Sequence, residues 1–296
     1  MNILISGASG MVGTALCDVL KSQGHAVTRL TRGKSGAGDV FWDPLAGKLD
    51  PGALTGIDAA VHLAGENIAG RWTDSKKKSI RDSRTLGTRT LCDALAKMST
   101  PPKVLVSASA IGLYGNRGDE LLTETSAPGS GFLPDVCKEW EAATAPAEKA
   151  GIRTVHLRIG VILSAKGGAL AKMLTPFKMC VGGVIGSGAQ YMSWVSLDDV
   201  VGAVTFALTH ENLSGAANLA APIPVTNRDF TKTLGKVISR PTIFPMPAFA
   251  ARLAFGEMAD DLLLGSARVK PERLQQAGYV FKYPELEGAI RAALGN

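Results

Sequence analysis

The sequence predicts an α/β protein, a doubly wound parallel sheet that carries a smaller lobe toward its C-terminal end. Three observations predict it. Short apolar, β-branched runs alternate with stretches of helical periodicity through the first two thirds of the chain, the rhythm of parallel strands linked by crossover helices. The chain opens MNILISGASGMVGTAL, which reads as strand, glycine-rich turn and helix. After LRIGVIL the rhythm breaks, first into a glycine-rich stretch and then into short pieces divided by proline.

Each element follows from local pattern. Asn2 to Ser6 is a short apolar run, and beyond Met11 the side chains of Val12, Leu16, Val19 and Leu20 fall at helical spacing. Further strands are expected over Ala26–Leu30, Asp39–Trp42, Ala59–Leu63, Val104–Ser107 and Arg153–Leu157, and the longest helix over Thr73–Met98. Glycines 182, 183, 186 and 188 indicate a loop packed closely on something, and a helix begins at Asp198. From Ala221 onward prolines at 222, 224, 241, 245, 247, 271 and 284 break the chain into short helical pieces. A chain of 296 residues suits one large domain with a smaller one appended. The expected division is 1–165 for the sheet domain, with segments returning to it around 190–220, and 166–296 mainly for the smaller lobe.

Composition narrows the function classes. The net charge is +6, but the cations are scattered and the one run, Lys76-Lys77-Lys78, reads as a solvated helix face, so no nucleic-acid partner is expected. Cys17, Cys92, Cys137 and Cys180 stand far apart with no metal-ligand spacing, which argues against zinc, any other metal site, or a disulfide framework. No apolar run is long enough to span a bilayer and no leader precedes the strand at Asn2, so a cytoplasmic protein with no membrane association is expected.

The opening turn raises two readings: a cradle for a dinucleotide, or a tight strand-to-helix turn. Gly7, Gly10 and Gly13, with Ser9, Met11 and Val12 between them, would let the backbone approach a pyrophosphate, which the N–H groups and positive end of the next helix attract. In a dinucleotide-binding sheet the end of the second strand meets the adenosine ribose, where an acid accepts hydrogen bonds from a free 2′-hydroxyl. That strand ends VTRLTRG, with no acid. Arg32 either runs out into water or offers donors to a 2′-phosphate, with Thr31 adding a hydroxyl; the second reading favours NADP(H) over NAD(H). Ala64 and Gly65 close a later strand with small residues that let backbone lie against a flat ring, and His62 in the same run reads as a satisfied core histidine.

With Gly7, Gly10 and Gly13, HLAG and SASAIGLYG in hand, the chain resembles the extended short-chain dehydrogenase/reductase superfamily. AGENI, SRTLGTRTL, CKEWE, LRIGVIL, GGVIGSGAQYMSWVSLDD and PERLQQAGYVFKYPEL resemble an atypical branch of it, the NAD-dependent epimerase/dehydratase-like or epimerase-family oxidoreductases. The resemblance runs from Met1 almost to the last residue. It implies a Rossmann-type sheet holding a nicotinamide cofactor beneath a substrate lobe. It further implies that Leu63, Ala64 and Gly65 wall the adenine side, that Arg84 lies near the cofactor, where many relatives carry asparagine, and that Ile159 faces the nicotinamide end.

In that superfamily a Tyr acts as acid or base, a Lys four residues later lowers its pKa, and a Ser or Thr orients the substrate. Here the matching positions in GFLPDVCKEWEAA are Leu133 and Cys137, and the serine place falls on Ala110 with Ser109 beside it. Ser109, Cys137 or water could supply the proton instead. Tyr114 reads as a packing residue, while Tyr191 and Trp194, in the glycine-rich segment, are expected to touch a substrate. Two functions stay open: an NADP(H)-dependent oxidoreductase or epimerase acting on a small molecule, which the complete lobe favours, and a non-catalytic NADP(H) sensor. A homodimer is left open.

Overall fold

The computed structural model describes residues 1–33, 36 and 38–295. In chain order the first half contains β1 (Asn2–Ser6), α1 (Met11–Ser22), β2 (Ala26–Thr31), β3 (Asp39–Phe41), β4 (Ala59–His62), α2 (Asp74–Ala96), β5 (Val104–Ala110), β6 (Leu121–Leu122), α3 (Phe132–Ala142), α4 (Ala145–Lys149) and β7 (Arg153–Ile159). The second half contains β8 (Val161–Leu163), α5 (Gly168–Lys178), β9 (Tyr191–Met192), β10 (Trp194–Ser196), α6 (Leu197–Thr209), β11 (Gly215–Leu219), β12 (Val225–Thr226), α7 (Asn227–Val237), α8 (Ala248–Phe255), β13 (Arg268–Val269), α9 (Glu272–Gln276) and α10 (Leu286–Leu294).

The main sheet has seven parallel strands in the order β11-β7-β5-β4-β1-β2-β3, the doubly wound α/β architecture that the sequence predicts. The winding direction reverses between β1 and β4, so the connections leaving their C-terminal ends run to opposite faces of the sheet, the place where open α/β sheets form a crevice. Helices cover both faces because successive strand residues point to opposite sides. Ile3 and Ile5 pack with Leu16 and Leu20 of α1 and Val200 and Val204 of α6. Leu4 faces the other way, into a core with Leu91 and Leu95 of α2.

A separate core of Leu163, Leu170, Phe177, Trp194, Phe230, Leu234 and Ile290 holds the smaller lobe, stitched by the short pairs β8 with β10 and β9 with β12. The one strand of the main sheet absent from the sequence reading is β11. Its sequence, GAANL, is small and mostly unbranched, so it carries little intrinsic strand preference; pairing along β7 makes it a strand. On its outer side the Asn218 N–H donates to Glu124 Oε1 at 2.9 Å, and the Ala216 carbonyl accepts from Arg273 Nη1 at 2.8 Å.

Candidate cofactor and active site

The crevice begins at the turn after β1. Gly7 adopts φ +72°, a left-handed conformation that favours glycine, and a Cβ there would stand 2.8 Å from Ala64 N and from the Leu63 carbonyl carbon. At Gly13 a Cβ would overlap the Gly7 carbonyl oxygen and lie 2.7 Å from Ala8 Cα. These two glycines are therefore what lets the turn fold back on α1 and press against the end of β4. Gly10 differs: it is exposed, and a Cβ there would meet only the Gly7 oxygen, at 3.3 Å. No side chain caps α1 and its first turn has no acid, so the positive end of the helix opens onto Ser9 and Gly10, both exposed. Met11 and Val12 are half-buried in that turn, with Met11 beneath Gly167 and Gly168.

Beneath the turn, Ser6 Oγ accepts from the N–H groups of Leu63 (3.2 Å) and Ala64 (3.4 Å) and lies 2.6 Å from His62 Nδ1. Burial, aided by the Arg84 charge, pushes the His62 pKa down to about 4, so the ring stays neutral. Leu63, Ala64 and Gly65 thus form a wall positioned from behind by Ser6 and His62.

At the end of β2, Thr31 is half-buried and Arg32 is exposed beyond it, close enough to Glu66 to help hold that carboxyl below its ordinary range, after the larger effect of Lys76. Arg84, on α2, lies behind the wall. Its Nη1 donates to the carbonyls of Glu66 and Ile80, both at 3.1 Å, and its guanidinium stacks 5.0 Å over the Trp140 ring. Ile159 ends β7, half-buried between Ala110 and Leu219.

On α3, Leu133 and Cys137 turn inward beneath Gly112, and burial pushes the Cys137 thiol up to about 12, so it stays protonated at neutral pH. Ser109 is buried too, and its hydroxyl donates to Glu141 Oε1 at 2.6 Å. Glu141 forms a two-point ion pair with Arg158, at 2.8 and 2.9 Å. Arg158 Nη1 also reaches the Tyr114 hydroxyl at 3.0 Å, and that hydroxyl donates to Asn218 Oδ1 at 2.7 Å. This chain of bonds joins β5, α3, β7 and β11 under the crevice. Sequence reasoning missed the Glu141–Arg158 pair, although an arginine inside the buried run TVHLRI signals a buried acid partner.

The two aromatics expected at a substrate surface separate. Tyr191 is half-buried at the lobe, with the Arg268 guanidinium 4.9 Å over its ring. Trp194 is fully buried in the lobe core with Leu163 and Phe230 and lines no open surface, because β10 pairs with β8 and turns that side chain inward. Among the described residues no group of three or more His, Cys, Asp or Glu could hold a metal ion, and no helix is long and apolar enough to cross a membrane.

The family model described as the NAD-dependent epimerase/dehydratase family matches residues 3–220. The chain belongs to that family. A second model, a domain of unknown function (DUF1731), matches residues 246–293 of this epimerase-family chain, the stretch from just before α8 into α10. An epimerase family protein of Mycobacterium bovis is 43% identical over 290 residues, covering 97% of this chain and 96% of that protein. The crystal structure of human epimerase family protein SDR39U1 with NADPH superposes with TM-score 0.93 at 35% identity, covering all of both chains. A nucleoside-diphosphate sugar epimerase from Corynebacterium glutamicum superposes with TM-score 0.84 at 39% identity, this epimerase-family chain spanning 58% of its length.

Proposed function

We propose that this epimerase-family chain binds NADP(H) in the crevice between β1 and β4 and acts as an oxidoreductase or epimerase-like enzyme on a small molecule held under the C-terminal lobe. The observation that carries the reading is the cradle itself. Gly7 and Gly13 close a turn that aims an uncapped helix end at an open position over Gly10, a fit for a pyrophosphate. The absence of an acid at the end of β2, with Arg32 exposed there, fits a 2′-phosphate. Gly7, Ser9, Gly10, Met11, Val12 and Gly13 take the phosphates, Thr31 and Arg32 the ribose phosphate, Leu63 to Gly65 the adenine side, and Arg84 and Ile159 the nicotinamide half. The same fold holding NADPH in the human relative supports the cofactor.

When bound, the nicotinamide supplies hydride transfer, which needs donor and acceptor at contact distance rather than a particular side chain. The chain's own part is to hold the cofactor, exclude water with the lobe and manage the proton. Leu133 has no proton to give; Cys137 stays a thiol, so it can donate but does not act as a base; the Ser109 hydroxyl is committed to Glu141. Tyr191, beside the Arg268 cation, is the side chain of the lobe assigned to the substrate. The apolar Leu133 and the protonated Cys137 also favour a second reading, in which the chain reports NADP(H) occupancy without turnover.

The test is a fluorescence titration of NADPH and NADH against the wild type and Arg32→Ala. A charge-assisted fork at an exposed position should favour NADPH by roughly ten-fold or somewhat more, and the variant should lose that preference. Equal affinities in the wild type would overturn the assignment of the 2′-phosphate. Hydride loss from bound NADPH in the presence of carbonyl substrates separates enzyme from sensor.

A further inference from the structure

The glycine-rich stretch after α5 lies against the segment that leads into α8. A Cβ at Gly183 would overlap the Phe244 carbonyl oxygen. The Met246 N–H donates to the Val184 carbonyl at 2.8 Å, and the Gly186 N–H donates to the Met246 carbonyl at 2.9 Å. The two stretches joined in this way share an apolar surface. Of the fifteen large apolar side chains exposed among the described residues, seven fall within 179–181 and 243–253, which makes a strip rather than a scatter. Ile243 is 71% exposed, Phe249 73% and Leu253 77%, so these side chains stand out from the surface instead of lining a groove. Phe249 and Leu253 lie one turn apart on the outer side of α8, while Ala251 is buried and Phe255 half-buried on its inner side. A helix with large apolar residues turned to solvent reverses the usual amphipathic arrangement, and contiguous exposed apolar surface marks a contact.

The charges along this strip are of one sign. No Asp or Glu occurs from 149 to 197 or from 230 to 256. Lys178 directly precedes Met179, and Arg240 stands three positions before Ile243. Both are exposed, and among the described residues neither has an acid partner. Past α8 the acids resume: Glu257 pairs with Lys77 and Asp260 with Arg252, and Asp261 has no ion pair among the described residues. A second copy docked through the same face would bring these cations toward one another with no acid in either stretch. A protein groove would need a pocket for each protruding side chain. An anionic bilayer needs neither, because its interfacial layer takes protruding apolar side chains and its phosphates attract cations.

We propose that this face of the C-terminal lobe docks on an anionic membrane surface, with Ile243, Phe244, Phe249 and Leu253 entering the headgroup layer and Lys178 and Arg240 meeting lipid phosphates. The contact lies on the bilayer and does not cross it, in keeping with the lack of any long apolar helix among the described residues. A search for spanning runs does not register such a surface, since the apolar residues come from two separated stretches. The inference is independent of the cofactor reading.

The experiment is co-sedimentation of the full chain with vesicles of phosphatidylcholine alone and of phosphatidylcholine mixed with phosphatidylglycerol, at low and high salt. Wild type, Phe249→Ser/Leu253→Ser and Lys178→Gln/Arg240→Gln are compared, with thermal midpoints to confirm that each is folded. The wild type should pellet with the mixed vesicles far more than with phosphatidylcholine, and high salt should weaken the binding. A cation at an anionic surface is worth about five-fold, so Lys178→Gln/Arg240→Gln should bind roughly 25-fold more weakly. Phe249→Ser/Leu253→Ser should lose roughly 100-fold or more at a near-wild-type midpoint. No binding of the wild type to the mixed vesicles, undiminished binding of Phe249→Ser/Leu253→Ser, or equal binding to both kinds of vesicle overturns the proposal. A wild type that ignores vesicles but dimerises in analytical ultracentrifugation, while Phe249→Ser/Leu253→Ser stays monomeric, overturns it in favour of a second copy.

Discussion

Gly10 and Gly13 stand three positions apart in one turn, and the structure predicts opposite consequences for filling them. Gly13 lies inside α1, where helix propensity alone would make Gly→Ala stabilising by about 1 kcal/mol. A Cβ there would instead overlap the Gly7 carbonyl and press on Ala8 Cα at 2.7 Å, both backbone atoms that cannot swing aside. Overpacking of this kind costs about 1–3 kcal/mol and at a backbone clash outweighs the propensity gain, so the net effect of Gly13→Ala is a lower thermal midpoint, by roughly 2–4 °C for a chain of this size. Gly10 has φ −75° and ψ 169°, which any residue adopts, and its Cβ would need only a few tenths of an ångström from the Gly7 oxygen. Gly10→Val should therefore keep a near-wild-type midpoint while its side chain fills the space above the helix end. At NADPH 100-fold above its dissociation constant the wild type should gain about 2.7 kcal/mol, seen as a rise of several degrees in differential scanning fluorimetry, and Gly10→Val should show no rise. A Gly13→Ala protein as stable as the wild type, or a Gly10→Val protein that keeps the NADPH-induced rise, would refute this division of labour.

Three further outcomes are expected. Arg158→Met leaves Glu141 in a largely buried position with only Ser109 as partner and should cost about 3–5 kcal/mol in denaturant unfolding, more than the charge-neutral double replacement of both residues. The His62 pKa is about 4 in the folded chain against 6.5 ordinarily, so the unfolded state binds the proton first; the resulting stability is full above about pH 6.5 and declines toward pH 4 by at most roughly 3 kcal/mol. His62→Gln should flatten that limb of the curve, and an unchanged limb would place the histidine's role elsewhere. Leu133→Tyr puts a phenol at the position matching the superfamily's proton donor and should raise turnover of a bound carbonyl by about 10²- to 10⁴-fold in an NADPH absorbance assay; no gain at unchanged affinity would mean that another group already handles the proton.

The features legible in sequence are those written in neighbouring residues. The strand, glycine turn and helix at Gly7 to Gly13 carry their period and their punctuation together, and the 23-residue α2 falls inside the expected Thr73–Met98. What stayed hidden depends on partners distant along the chain. GAANL becomes β11 only beside β7, and Trp194 faces the lobe core only because β10 pairs with β8. Ser109 looked available for chemistry until Glu141, 32 positions on, took its hydroxyl. In each case the deciding contact lies across the fold, beyond the reach of local periodicity.

The bonds on the outer side of β11 bear on how the molecule avoids its own kind. An edge strand offers free N–H and C=O groups to any passing strand, and β11 is short, uncharged and poor in side-chain bulk, which makes it an easy template. Glu124 occupies the Asn218 amide and Arg273 occupies the Ala216 carbonyl, so the two groups that would seed an eighth strand are already spoken for by side chains. Because Glu124 Oε1 also accepts from the Arg273 amide at 3.1 Å, the two blockers brace each other. Growth of the sheet from this end, whether into a continuous dimer or a misfolded aggregate, would first have to dismantle that brace.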